Sequence, residues 1–134
     1  MKPIVLAISI CDDIIRDEVS RKMSLIGLFN RIQSSSFPAT HSSLHVYVSL
    51  TNGHKKYKGE LRFVNESDNN IIFKTNGDVP LQNPLQTLEL NFSVRNLKFD
   101  KPGKYDVQFY CDGTLVGSRG FIVSASTSTS EIKE

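Results

Sequence analysis

The chain has 134 residues, 39% of them hydrophobic and 22% charged, with a formal net charge of +2. That length suits one domain with one core and is too short to argue for two. So small a charge gives no reason to expect a nucleic-acid or membrane partner, and no apolar run approaches the ~20 residues of a membrane helix.

The opening "MKPIVLAISIC", followed by two aspartates, has the outline of a bacterial lipoprotein start. The physical fit is poor. The apolar stretch from Pro3 to Ile10 is short, one lysine precedes it, and Ile10 stands where a small residue is required before the cysteine. Ile4, Val5, Ile8 and Ile10 are strong β-formers, so a first strand is predicted over 3–11. Cys11 and Cys111 lie almost a chain length apart, and without a signal peptide they are expected to be reduced thiols in a cytoplasm.

Residues 11 to 22, "CDDIIRDEVSRK", are the most chemically suggestive stretch. Asp12, Asp13, Asp17 and Glu18 could offer hard oxygens to Ca²⁺. Against this, Arg16, Arg21 and Lys22 lie in or beside the cluster, and no EF-hand spacing is present. The favoured expectation is a connector without metal. In it Asp12 or Asp13 caps a short helical turn, and Ile14, Ile15 and Val19 dock on the body of the protein.

From there the dominant period is two. Further strands are predicted over 23–33, 43–52, 57–66, 70–75, 86–97, 103–112 and 114–124, about eight in all. "LHVYVSL" sets Leu44, Val46, Val48 and Leu50 against His45, Tyr47 and Ser49. "TLELNFSVR" and "YDVQFYCD" alternate in the same way. Asn52-Gly53, Asn76-Gly77 and Asp68-Asn69-Asn70 read as turns, and Asp112-Gly113 as a two-residue hairpin. Pro80 and Pro84 argue against a central strand over 76–85. The domain is expected to span 1–124, followed by a frayed polar tail over 125–134.

The run "FDKPGKYDVQFYCDGTLVGSRGFIV" resembles the last hairpin of immunoglobulin-like sandwiches. Pro102-Gly103 would form the corner before it, and Tyr105 resembles a tyrosine corner, ring inward and hydroxyl tied to nearby backbone. Val107 stands where antibody domains carry a cysteine, so no core disulfide is implied. Together with Ile10 to Asp12, Ser24 to Phe29 and Phe37-Pro38, the chain resembles a family of small bacterial proteins that forms a domain of unknown function. The resemblance implies a bacterial or phage-related source and an all-β, antiparallel, immunoglobulin-like sandwich. It implies no activity, substrate or catalytic residue.

If all strands ran antiparallel, connections 12–22, 53–56, 76–85 and 112–113 would share one end, and 34–42, 67–69 and 98–102 the other. The acidic stretch would then face the basic hairpin of His54, Lys55, Lys56, Tyr57 and Lys58. That hairpin pairs cations with an aromatic, as single-strand binders do, but on a nearly neutral chain it reads as a solubilising tip. His41, His45 and His54 have no Ser or Cys motif to serve, and Cys111 falls on the inward phase. Asn65-Glu66-Ser67 and Asn91-Phe92-Ser93 fit the glycosylation pattern, which matters only in a secretory pathway. Arg119 shares the phase of Phe121 and Val123. A bulge beside Gly117 or Gly120 is expected to turn it outward, the alternative being a buried cation that requires a carboxylate.

No catalytic constellation, phosphate loop, cofactor motif or metal spacing is found. The expectation is therefore a non-enzymatic interaction or accessory module of a bacterial cytoplasm, with a protein partner. A Ca²⁺- or small-ligand-binding sandwich using Asp12, Asp13, Asp17 and Glu18 is second, and a hydrolytic enzyme third.

Overall fold

The computed structural model describes residues 2–126. The tail reading over 125–134 falls mostly on residues 127–134, outside the described chain. Strand structure continues through Ala125, and the Ser126 amide donates to the Ser34 carbonyl. Among the described residues there are nine strands and no helix: β1 Ile4–Arg16, β2 Met23–Leu28, β3 Arg31–Ser34, β4 Ala39–Thr51, β5 Lys55–Asn65, β6 Asn70–Leu81, β7 Thr87–Phe99, β8 Gly103–Cys111 and β9 Thr114–Ala125.

They form a four-stranded sheet in the order β2-β1-β4-β7 and a five-stranded sheet in the order β3-β9-β8-β5-β6. The inward residues of both sheets make one core. Leu44, Val46, Val48 and Leu50 come from β4, Leu61 and Phe63 from β5, and Val107 and Phe109 from β8. Strict alternation puts them there, since the apolar set of each strand can face only one side. Phe121 packs edge-on against Phe63 and Phe99 and stacks on Tyr105.

Four expectations need correction. First, the predicted strand over 23–33 is two strands. β2 pairs with β1, and the chain then crosses to the other sheet at Phe29-Asn30, where β3 runs parallel to β9. The sheets are therefore not antiparallel throughout, and there are nine strands, not eight. Second, the reversal between β2 and β3 adds one change of direction, which moves the 17–22 turn to the end that holds 35–38, 66–69 and 100–102. The basic hairpin lies at the opposite end, so the expected contact between the acidic stretch and that hairpin does not exist.

Third, residues 12–16 continue β1, and no helical turn forms there. Ile14 is buried, but Ile15 is half-exposed and Val19 is 93% exposed. β-branched residues on a paired edge favour continued strand over one isolated helical turn, whose nucleation is costly. Fourth, Asn76-Gly77 is not a turn: Asn76 and Gly77 pair with Glu60 and Gly59 within β6. Pro80 is tolerated because β6 is a sheet edge, where a missing amide breaks no ladder.

Candidate functional site

The acidic stretch is dispersed by its own strand. Asp12 lies on one face of β1, its carboxylate packed where a Cβ on Gly27 would be. Asp13 lies on the other face, with Oδ1 3.5 Å from His45 Nε2 and 2.8 Å from the Ile14 amide. Asp17 caps the turn: its Oδ1 accepts from the amides of Val19 at 2.8 Å and Ser20 at 3.2 Å. Those amides hold its carboxyl below the usual range. Glu18 is exposed. Among the described residues no three His, Cys, Asp or Glu side chains gather as metal ligands would.

The outer face of the four-stranded sheet carries a polar ladder across three strands. His45 Nδ1 and Asn91 Oδ1 are 2.9 Å apart, and the Tyr47 hydroxyl donates to Glu89. Nε2, the other ring nitrogen, is turned to Asp13. His45, Tyr47, Glu89 and Asn91 stood on the outward phase of their strands, whereas Asp13 was expected in a connector. What put them in contact is register: Tyr47 opposes Asn91, and His45 opposes Ser93. Cys11 sits between Leu28 and His45, is fully buried, and directs its sulfur at the His45 carbonyl 3.8 Å away. Burial raises the Cys11 thiol and pushes that of Cys111 up to about 11. Both are therefore protonated at neutral pH and poor nucleophiles. His41 lies against the Phe29 ring, and the His54 amide donates to the Tyr57 hydroxyl at 3.1 Å. The ladder orders the surface and presents a carboxylate-imidazole pair with no thiolate beside it.

At the far end, the 112–113 turn is docked onto the basic hairpin. Asp112 and Gly113 have φ of 50° and 80°, as a tight hairpin between twisted strands requires. Lys55 Nζ is 2.7 Å from Asp112 Oδ2, and the Lys58 amide donates to Oδ1 at 2.8 Å. Lys55, then the Lys58 amide, hold the Asp112 carboxyl below its usual range. A carboxyl depressed in the folded state adds stability that is complete above its unfolded value and is lost as pH falls through the folded one. Asp112→Asn is accordingly expected to lower Tm by a few degrees at most at pH 7. The gap from the parent should narrow as pH falls below the usual carboxylate range. A gap unchanged between pH 7 and about pH 2.5 in paired thermal melts would remove the charge from this account.

The corner residues stand where β8 begins. The Tyr105 hydroxyl donates to the Lys101 carbonyl at 2.6 Å, and the ring is 1% exposed. Gly103 has φ of 150°, and Pro102 precedes it outside the ladder. The glycosylation pattern at Asn65 is used internally: Asn65 is buried, and its Oδ1 accepts from the amide and hydroxyl of Ser67.

Arg119 follows neither expectation. The extra residue of β9 lies between Leu115 and Gly117, opposite Phe109 and Tyr110. The bulge thus precedes Arg119 and leaves it on the inward phase, opposite buried Val107. It is exposed all the same, because the sheets are open there. β2 covers β1 only from Cys11 onward, and β3 covers β9 only from Ile122 onward.

The exposed large apolar side chains are unevenly distributed. Among the described residues nine large hydrophobic side chains are exposed, and six of them (Ile4, Leu6, Ile15, Val19, Ile26 and Leu28) lie on β1, β2 and the turn between. Asp13 opposes Ile26 and Ile15 opposes Ser24, so Ile15, Ile26 and Leu28 share the outer face beside the polar ladder. The expectation that Ile15 and Val19 dock on the body is the reverse of what is found. No helix of the described chain is long and apolar enough to cross a membrane. Residues 6–124 match the family of unknown function DUF6941. Comparison with curated proteins returned no match.

Proposed function

We propose that the chain, which belongs to this family of unknown function, is a non-enzymatic protein-interaction module that docks through its β1–β2 hairpin. The observation that carries the reading is the concentration of exposed apolar side chains on that one hairpin. A single exposed Leu or Ile needs no explanation, but Ile15, Ile26 and Leu28 on one face beside ordered polar groups have the composition of an interface. β2 is also a sheet edge, and its sequence MSLIGL carries neither the charge nor the proline that usually blocks strand addition. An extended segment of a partner can pair with such an edge while its side chains cover Ile15 and Ile26.

The reading extends to an immunoglobulin-like arrangement of the two sheets in a bacterial cytoplasm. Support for the first comes from the Tyr105 corner and the β8–β9 hairpin, and for the second from two buried free cysteines.

The test places a photo-crosslinking amino acid at Ser24, exposed on the same face, and expresses the chain in its native host. A discrete crosslinked partner is expected, and it should vanish in Ile15→Asp/Ile26→Asp. Because Ile26→Asp would face Asp13 across the pair, a thermal melt of the double variant accompanies the test and is expected to show it folded at the temperature of crosslinking. An unchanged crosslink in the double variant would refute docking at the hairpin.

A further inference from the structure

We propose that Arg119 is the anion-recognising group of a binding site for a small apolar carboxylate, in the seam where β2 leaves one sheet and β3 joins the other. The seam holds a cavity of about 300 Å³ lined by Ser9, Ile10, Leu28, Phe29, Asn30 and Arg119. That volume is at the small end of ligand pockets, enough for a short branched or aromatic acid and too small for a lipid.

The guanidinium is under-used. It offers five donors in a planar fork, and one of them, Nη1, donates to the Ile8 carbonyl at 3.4 Å, a long contact. None of the ion pairs of the described residues includes Arg119. The Ile8 contact aims the side chain across the seam and leaves the rest of the fork unengaged. A fork that can accept a carboxylate bidentately is the standard recognition element for that group.

The walls supply the other half of the ligand. Half-buried Phe29 offers an apolar ring, buried Ile10 lies at the floor, Leu28 borders the rim, and Ser9 and Asn30 offer polar groups. Two chain crossings set the walls: the Phe29 amide donates to the Ile10 carbonyl, and the Ile122 amide donates to the Asn30 carbonyl, both at 3.0 Å. The cavity is therefore bounded by backbone fixed to both sheets. An arginine on the outward phase of β9 would meet water alone. On the inward phase it lines the seam itself, with its fork at the mouth of the cavity.

The site does not rest on the hairpin reading, and the Ile15→Asp/Ile26→Asp variant leaves every lining residue intact. The probes are 4-methylpentanoate, its neutral amide, and an N-acetylated tripeptide ending in leucine with a free carboxylate, each titrated into ¹⁵N-labelled protein. Saturable shifts are expected for the two carboxylates at Ser9, Ile10, Leu28 to Asn30 and Arg119, with none for the amide. The tighter of the two carboxylates tells a free acid from a chain terminus as the source. Arg119→Gln should abolish saturation, and Arg119→Lys should weaken it about tenfold by losing the fork. Unchanged amide spectra away from the site would show that both variants are folded. Equal binding of acid and amide, binding retained in Arg119→Gln, or no saturation by either carboxylate would each overturn the assignment.

Discussion

Tyr105→Ala is expected to cost about 3–5 kcal/mol, the range for emptying a fully buried aromatic site. The ring is 1% exposed, meets Phe99 edge-on with centroids 4.9 Å apart, and stacks on Phe121 at 5.8 Å. Those two rings also touch each other, so the cavity would open inside an aromatic cluster with little freedom to collapse. Tyr105→Phe separates the ring from its hydroxyl. It keeps the packing and loses the 2.6 Å bond to the Lys101 carbonyl, at a cost of about 1 kcal/mol. That bond ties the 100–102 turn to β8, so the Phe variant should also speed hydrogen exchange in that turn. Urea unfolding of the two variants provides the comparison. Equal, negligible shifts in midpoint would show that the cluster does not depend on Tyr105.

Gly53→Ala is the second large effect, about 3 kcal/mol or more, and it comes from overpacking. A Cβ at this position would run into the backbone oxygen of Leu81, and would lie 2.5 Å from Leu81 Cγ and 2.7 Å from its Cβ. Leu81 is fully buried, and the 52–54 link is tied to the next connection by the Asn52 amide, which donates to the Pro84 carbonyl at 3.2 Å. Neither side can retreat without separating the loops that close this end of the core. Gly113→Ala is the control for backbone freedom alone. Its φ is 80°, yet nothing lies within 4 Å of the added methyl. The penalty there is the left-handed conformation itself, about 1 kcal/mol. Chemical denaturation should rank Gly53→Ala well below Gly113→Ala in stability. The reverse order would place the constraint in the turn angles instead of the contact.

The all-β class, most of the strands and the inward residue of each were legible in the sequence because a strand has a period of two. Leu44, Val46, Val48 and Leu50 declare their buried face without reference to any partner, and Asp112-Gly113 declares its turn through the positive φ that both residues adopt. Local pattern could not show where β2 ends, because Ser24 to Ile32 stays apolar enough to read as one strand. The crossing at Phe29-Asn30 exists only because two sheets are present to be joined. That crossing moved the acidic turn to the opposite end, gave β3 a parallel partner and opened the seam in which Arg119 lies. His45 and Asn91 were visible as outward residues and Asp13 was not placed on a strand, but contact among them is a matter of register between strands far apart in the chain. Buried faces could be read locally because side-chain alternation is set within a few residues. Which faces and edges stay open depends on how far each neighbouring strand extends, and no local pattern carries that information.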